Sequence, residues 1–308
     1  LLPVNDFLSN PPYGTQWDGV DNDNDWSSNL AFPFFSNNSS QGFQVYGSGF
    51  EIDFDNPIYN ISNVITNNNM NKAKEYSKKI AKYAWSKRFE MDSQAPSIEE
   101  GLREAVSIRE KPVVLMDSGD NIGAGSSADS THILHKAREI GVSGILQTLY
   151  DPESVKKCIN KIGSMVTLKV GGKSDSLHGD PIEISGTVKK YFEGEFEDHG
   201  RTHGGTKYFD AGDTVVIETE DENTLILTSK RVGNTSIELY YSLGLNPINY
   251  PIIVAKGVQS PRPAFEPIAS KIIALDSPGV TASGLHNFNF KNLRKPMFPF
   301  QKDETYYE

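Results

Sequence analysis

The sequence predicts an α/β protein in which a parallel strand–helix–strand core carries an inserted, mostly antiparallel β region. Residues 112–150 predict the core. The apolar run PVVLM is followed by a glycine-rich loop, the helical pattern STHILHKAREIG and a second apolar run, GILQTLY, which is the order of a parallel βαβ unit. Residues 163–230 predict the inserted region, because SMVTLKV, IEISGTVKKYF, TVVIETE and TLILTSK alternate with turns at Gly and Asp or Asn.

Ahead of the core, the chain contains one strand pattern and two helix patterns. Residues 44–53 alternate enough to predict a strand, and residues 70–89 place Ala, Tyr and Ile at the spacing of an amphipathic helix. A capping box, Ser97 with Glu100, opens a further helix that runs to Ile108. The first 49 residues, rich in Asn, Ser, Gly, Pro and aromatic residues, show little periodicity.

Turn and capping residues set the predicted ends of the remaining elements. The core helix should end at Gly141, and Asp151 followed by proline should begin the next helix. The inserted region is followed by four predicted elements. They are a helix over 234–244, a strand over 251–257, a short helix near 263–270 and a strand over 271–276.

The composition narrows the class of protein. The 308 residues carry a formal net charge of −10, and the only basic clusters are short, which argues against nucleic-acid binding. No apolar run approaches the roughly 20 residues of a membrane helix, and no leader peptide is visible. The single cysteine, Cys158, excludes an intrachain disulfide and suits a reducing compartment, so we expect a cytoplasmic location and a buried, structural thiol.

The loop after the first core strand concentrates carboxylates and glycines. It matches neither phosphate motif: Ser126 follows Gly125 where a Walker loop has lysine. Three carboxylates would also repel a phosphate. Two interpretations remain. The aspartates could cap turns and the following helix, or the loop amides and Asn121 could hold a substrate beside the helix N-terminus. The loop's candidate residues are Asp117, Asp120, Asn121, Gly123, Gly125 and Asp129, the last being the expected helix N-cap.

Other polar loops supply further candidates. Lys173, Asp175 and His178 lie within six residues, and Lys256 and Arg262 follow the strand near 255. These groups could supply cations and an imidazole to a cleft, or could be ordinary loop residues. His132 and His135 share a predicted helix face, but no third ligand is evident nearby, so a surface or packing role is favoured over zinc binding. His199 and His203 lie in a loop, where a spacing of four residues does not place two side chains on one face.

The motifs, taken in order, resemble one known family. DSGDNIGAGSSADSTHIL resembles the D-x-x-D-N-x-G-x-G-x-x-x-D-x-T-x-x-L signature of the microcystinase C (MlrC-like) metallopeptidases, including the MlrC C-terminal domain. YDPESV, GGKSDSLHGDPIEISGTV, DAGDTVVIE, LTSKRV, VAKGVQSPRPAFEPIA, DSPGVT and LRKPMFPF follow in the family's order over about residues 111–300. Upstream, LAFPFF and the helix ending in WSKRF resemble the last part of the family's N-terminal domain more weakly.

The resemblance implies a zinc-dependent peptidase or amide hydrolase acting on a peptide or small amide. It implies that residues 1–110 are the remnant of a metal-binding α/β domain and that residues 111–308 are the C-terminal domain. The family's zinc ligands lie in a D-x-H element and a later histidine, but this chain has no D-x-H and no histidine before His132. The ligands are therefore expected upstream, none is assigned here, and the candidate residues above would position substrate or support the metal site.

A second interpretation is that the chain is a non-catalytic α/β module that binds a small polar or anionic ligand at the glycine loop. No complete catalytic set is evident in the sequence, so the catalytic residues are left unassigned. A homo-oligomer is possible under either interpretation, whereas nucleic-acid and membrane partners are not expected.

Overall fold

A computed structural model describes residues 69–91, 95–200, 202–292 and 298–302, together with 44–45, 50–51, 64 and 66. The chain divides into two units, Ser93–Lys291 and a second unit that combines Leu1–Asp92 with Asn292–Glu308. The LAFPFF motif and part of the closing LRKPMFPF motif lie outside the described residues. The assignment of residues 1–110 to a metal-binding domain stays a prediction.

The described residues of the second unit form two short strands and two helices. Strands β1 (Gln44–Val45) and β2 (Phe50–Glu51) pair in antiparallel fashion, so the single strand predicted over 44–53 is wrong. The sequence between them contains two glycines, which weaken a continuous strand. Helix α1 (Met70–Ser86) confirms the amphipathic pattern, and α2 (Arg88–Met91) follows it.

The unit Ser93–Lys291 contains one large sheet and one small one. Its strands are β3 (Val113–Asp117), β4 (Ile145–Tyr150), β5 (Met165–Val170), β6 (Ile182–Phe192), β7 (Glu195–Glu197), β8 (Tyr208–Asp210), β9 (Thr214–Thr219), β10 (Thr224–Thr228), β11 (Ile252–Lys256) and β12 (Lys271–Leu275). The large sheet has the order β12-β3-β11-β4-β10-β9-β6-β5, and β7 pairs with β8. The small sheet was not predicted from the sequence.

The large sheet combines two kinds of pairing. Strands β12, β3, β11, β4 and β10 are parallel, whereas β9, β6 and β5 extend the sheet in antiparallel fashion. The antiparallel strands come between β4 and β11 in the chain, and β10 then returns beside β4. This arrangement confirms the predicted parallel core with an inserted, mostly antiparallel β region.

Helices cover both faces of the parallel part of the sheet. They are α3 (Ile98–Ser107), α4 (His132–Ile140), α5 (Pro152–Cys158), α6 (Glu238–Ser242) and α7 (Arg262–Phe265). Alternate strand residues such as Leu115 and Val254 pack with α3, α4 and α5, whereas their neighbours Met116 and Ala255 pack with α6 and α7. The strands are buried on both faces, which explains why they appear in the sequence as continuous apolar runs.

Capping residues explain most of the helix ends and one failed prediction. The Ser97–Glu100 capping box and the Asp151 cap are both present, and Gly141 ends α4 with φ +71°. Asp129 is not the N-cap of α4, because Thr131 occupies that position and the Asp129 carboxylate bonds to a different loop.

The helix predicted over 234–244 is shorter than expected and consists of α6 alone. The residues before it hydrogen-bond to other parts of the chain instead: Asn234 Oδ1 accepts the Lys256 N–H, and Ser236 Oγ donates to Asp198. Among the described residues, no helix is both long and apolar enough to cross a membrane.

Candidate functional site

Two adjacent parallel strands end in residues of opposite charge. Asp117 is the last residue of β3, Lys256 is the last residue of β11, and the two are paired in the ladder between these strands. Both are buried, and the exposed fraction of Lys256 is only 2%. Ligands of open α/β sheets bind at the carboxyl ends of parallel strands, so these charges mark the expected place for a site.

The Lys256 ammonium is held by the loop that follows β3. Its Nζ donates to Asp120 Oδ2 at 2.6 Å and lies 3.8 Å from Asp117 Oδ2. The Asp120 carboxylate also accepts the backbone N–H groups of Ala128 (2.7 Å) and Ser130 (2.8 Å). Asp120 therefore fastens both ends of the glycine loop and supplies the main counter-charge to a buried lysine.

The two buried aspartates titrate in opposite directions. Burial raises the pKa of Asp117, and the nearby Asp120 carboxylate adds to this rise, which the Lys256 charge only partly offsets. Burial would also raise the pKa of Asp120, but the Lys256 charge, its hydrogen bond and the Ser130 N–H outweigh burial and lower it to about 2. One ammonium thus stabilises one carboxylate, and the other is shifted towards its neutral form.

His178 joins the centre from the loop between β5 and β6. Its Nδ1 lies 2.9 Å from both carboxylate oxygens of Asp175, and its Nε2 lies 3.9 Å from Asp120 Oδ1. The Val280 N–H points to Nε2 at 3.4 Å. Nδ1 is therefore placed to donate to Asp175, and Nε2 to accept the Val280 N–H. Burial would raise the pKa of Asp175, but hydrogen bonds from Leu177 N–H and His178 lower it on balance. We call Asp117, Asp120, His178 and Lys256 the polar centre.

The loop after β12 contributes residues that were not singled out as candidates from the sequence. Ser277 Oγ donates to Asp117 Oδ1 at 2.5 Å and accepts the Gly119 N–H at 2.9 Å. Thr281 Oγ1 accepts the Asn121 N–H at 2.9 Å. The sequence carries one signal for these residues, because DSPGVT begins directly after a strand, as the loops after Asp117 and Lys256 do. Only the topology shows that β12 is the neighbour of β3.

The buried Asp129 and the partly exposed Lys173 form a second anchor, which is separate from the polar centre. Asp129 Oδ2 accepts the backbone N–H groups of Lys173 (2.8 Å) and Ser174 (2.9 Å). The Lys173 ammonium turns away to Asp151 Oδ1 at 2.9 Å, and Asp151 also accepts the Gly171 N–H. The carboxylate predicted to cap a helix therefore fixes the loop that carries His178.

The middle of the glycine loop is more exposed than the residues that anchor its two ends. Asn121 is half-buried and residues 123–125 are exposed, whereas Asp120 and residues 126–131 are buried. Gly125 has φ +95°, a conformation that favours glycine. We call residues 121–125 the glycine lip. It is the part of the loop that a ligand could touch without unfolding the anchors.

The remaining candidates lie apart from the polar centre or serve other purposes. Arg262 begins α7, and its Nη1 lies 3.7 Å from Glu266. The rings of His132 and His135 each bond a backbone carbonyl, of Leu177 and Asp180, and so fasten the His178 loop to α4. The exposed His199 ring pairs with Glu197.

The described residues do not fit a metal centre. No group of three or more His, Cys, Asp or Glu side chains in the described ranges is arranged to hold a metal ion. In the polar centre, the place of a cation beside the two carboxylates is taken by the Lys256 ammonium. The imidazole beside them is oriented by Asp175 rather than left as a free ligand.

The site thus belongs to an α/β domain in which Asp117 and Lys256 end adjacent parallel strands, and the glycine loop and the His178 loop complete the polar centre. The chain belongs to the family described as MlrC C-terminus, whose profile matches residues 115–292. The matched range includes every candidate residue named above.

Two relatives extend this assignment. Microcystinase C from Sphingomonas sp. is 24% identical over 192 residues, which cover 62% of this chain and 36% of the relative. A solved structure from Mesorhizobium sp. BNC1, described as a candidate metallopeptidase, superposes with a TM-score of 0.68 at 26% identity. The match covers 82% of this chain and 50% of that one. The chain thus spans half or less of the length of these relatives.

Proposed function

We propose that this chain forms the C-terminal, substrate-facing part of a zinc-dependent peptidase or amide hydrolase of the MlrC type. The observation that carries the proposal is the match to the MlrC C-terminus family, because it spans the polar centre, the second anchor and the glycine lip together. The names of the two relatives, a microcystinase and a candidate metallopeptidase, support a hydrolase that acts on peptide bonds.

In this proposal the buried and exposed parts of the site have different roles. Asp117, Asp120, His178 and Lys256 are buried, and their contacts are mostly with one another and with backbone N–H groups. They would orient the loops rather than touch substrate. The glycine lip, which includes Asn121, would face the substrate. The Asp129–Lys173 anchor would fix the position of the neighbouring loop that carries His178.

The zinc ion in this proposal is inferred only from membership of the family. A zinc ion in such an enzyme polarises the scissile carbonyl and lowers the pKa of a bound water. The polar centre does not fit this role, because the Lys256 ammonium already takes the place of a cation beside its two carboxylates. We place the zinc ligands outside the described residues, in the family's N-terminal domain, and assign no catalytic residue in this chain.

The test uses the full product of the gene that encodes this chain. Hydrolysis of linear peptides is followed before treatment with a chelator, after treatment, and after zinc is restored. The proposal predicts activity that is lost with the chelator and recovered with zinc. Activity that the chelator does not affect, or no activity with zinc restored, would contradict it.

The rival proposal, a non-catalytic module for a small polar or anionic ligand, predicts a different result. In that case calorimetry would detect binding of small acids that Asn121→Ala and His178→Ala weaken, without any peptide hydrolysis by the full gene product. A cytoplasmic location, a peptide or small amide as partner and homo-oligomer formation remain predictions.

A further inference from the structure

Arg231, in the LTSKRV motif, is a cation beside the glycine loop that the polar centre does not use. It follows the end of β10, and the central carbon of its guanidinium lies 4.2 Å from the centroid of the Tyr150 ring. Its Nε donates to the Ser127 carbonyl at 3.0 Å. Because Tyr150 ends β4, the parallel neighbour of β10, Arg231 lies at the same carboxyl edge of the sheet as the polar centre.

The two Nη groups of this guanidinium are left without a partner. Among the described residues, Arg231 forms no ion pair, and its hydrogen bond to Ser127 uses Nε alone. The Arg231 side chain is exposed, whereas Tyr150 is half-buried and Ser127 is buried. Arginine presents its N–H groups in a planar fork that matches the two oxygens of a carboxylate. The Nη groups are therefore available to an anion that arrives from solvent.

The contact with Tyr150 distinguishes Arg231 from the other exposed cations around it. In the described part of the unit Ser93–Lys291, no second Lys or Arg side chain lies over an aromatic ring. Cations such as Lys230 and Lys271 pair with carboxylates instead. A guanidinium that is already held by a ring and a carbonyl loses little freedom when it binds a ligand.

The charges around the site favour an anionic ligand at Arg231. In the polar centre, Asp120 is already matched by Lys256 at 2.6 Å, and burial raises the pKa of Asp117 towards its neutral form. The chain as a whole carries a formal net charge of −10, which repels anions unless a local cation is unmatched. Arg231 supplies such a cation beside the glycine loop.

We propose that the two Nη groups of Arg231 bind a carboxylate of a peptide that lies along the glycine lip. Ser127 is two residues beyond the lip, which is at most about 7 Å of chain, so a peptide on the lip comes within reach of the guanidinium. The inference rests on the proposed function and specifies its substrate class as peptides that carry a carboxylate. Arg231 acts in binding and specificity and takes no part in bond cleavage.

The test is an NMR titration of the complete chain with three peptides. N-acetyl-tetraalanine carries a C-terminal carboxylate, its amide carries none, and N-acetyl-Ala-Glu-Ala-Ala amide carries a side-chain carboxylate. At least one of the two charged peptides should bind about tenfold more tightly than the neutral amide, the gain expected for one charge-assisted pair. The charged peptide that shows the gain identifies the source of the carboxylate.

Two substitutions of Arg231 separate carboxylate binding from a structural role. Arg231→Gln removes the charge, so the charged and neutral peptides should bind with equal affinity. If Arg231 only held the loop in place, Arg231→Gln would weaken all three peptides alike and leave the ratio of their affinities unchanged. Arg231→Lys keeps the charge without the planar fork and should keep only part of the preference.

Two controls test net charge and local disturbance. Arg109→Gln removes an exposed arginine that precedes β3, at the opposite edge of the parallel strands. Gly233→Ala changes the loop that carries Arg231, and its added Cβ atom would meet the Thr235 side chain at an ordinary 3.7 Å. Both variants should retain the wild-type preference for the charged peptide.

The possible failures differ from those of the proposed function. If wild type shows no preference for a carboxylate, or if Arg231→Gln keeps the preference, the inference is wrong and the proposed function stands. If the wild-type chain binds none of the three peptides, the inference is also wrong. The proposed function is contradicted separately, by a full gene product that does not hydrolyse peptides in a zinc-dependent manner.

Discussion

Replacing Lys256 by methionine removes the cation of the polar centre while keeping a long apolar side chain. The change leaves Asp120 buried without its ammonium partner and leaves Asp117 without its nearest positive charge. The Asp120 pKa lies at about 2 instead of 3.8. At about 1.4 kcal/mol per pKa unit, this corresponds to stabilisation on the order of 2 kcal/mol near neutral pH. Removing one partner of a buried pair typically costs about 3–5 kcal/mol, and we expect a loss in that range.

The loss of unfolding free energy caused by Lys256→Met should be larger at neutral pH than at acidic pH. The folded pKa of Asp120 is below its unfolded value, so its stabilising contribution is complete above pH 3.8 and disappears as the pH falls to about 2. Without Lys256, burial raises the pKa of both aspartates, and the variant should become less stable as pH rises above about 4. The difference between variant and wild type should therefore be largest near pH 7 and smaller near pH 4.

Urea unfolding of the complete chain at pH 4.5 and pH 7 measures this difference. Lys271→Met is the matched control, because Lys271 begins strand β12 of the same sheet and forms an exposed ion pair with Glu104. Exposed pairs contribute little, so the control should leave the urea midpoint almost unchanged at both pH values. A Lys256→Met loss below about 1 kcal/mol at pH 7, or an equal loss at both pH values, would show that the Lys256 charge does not stabilise the buried Asp120 carboxylate.

Three further substitutions test the anchors of the loops. Ser277→Ala removes the donor to Asp117 and the acceptor for Gly119 N–H, and should lower the unfolding free energy by about 1–3 kcal/mol in urea titrations; an unchanged midpoint would contradict this. Asp151→Ala removes a helix cap and the partner of Lys173, so we expect about 2 kcal/mol of destabilisation and faster hydrogen exchange in residues 171–178; protection equal to wild type would argue against the anchor. Gly171→Ala combines φ +62° with a Cβ atom 2.7 Å from the Asp129 carbonyl, and should lower the melting temperature more than Gly163→Ala, where the added atom meets open space; equal effects would show that the contact is unimportant.

The core of the fold could be predicted because its signals are local. The apolar runs ending at Asp117 and Lys256 are buried on both faces, and such strands contain few polar residues. The Ser97–Glu100 box and the Asp151-proline pair fix helix ends through contacts within three residues. Such features require no knowledge of distant parts of the chain.

The polar centre could be predicted only as a set of separate candidates. The Lys256–Asp120 bond joins residues 136 positions apart, and the Ser277–Asp117 bond joins residues 160 positions apart. Spacing along the chain does not say that β11 and β12 both flank β3, which is what brings these residues together. Asp129 was misassigned for a related reason: aspartate is a favourable N-cap, but its carboxylate has two better partners in a distant loop.

We propose that the glycine lip faces substrate, while the polar centre beneath it holds the loops in place without a metal. The most direct measurement is kcat/KM for a linear peptide, with zinc content determined in parallel, for the full gene product carrying Gly123→Ala or the control Gly233→Ala. We predict that Gly123→Ala lowers kcat/KM by about tenfold at unchanged zinc content, whereas the control has little effect. Unchanged kcat/KM in Gly123→Ala, or a loss of activity that follows a loss of zinc, would contradict the account.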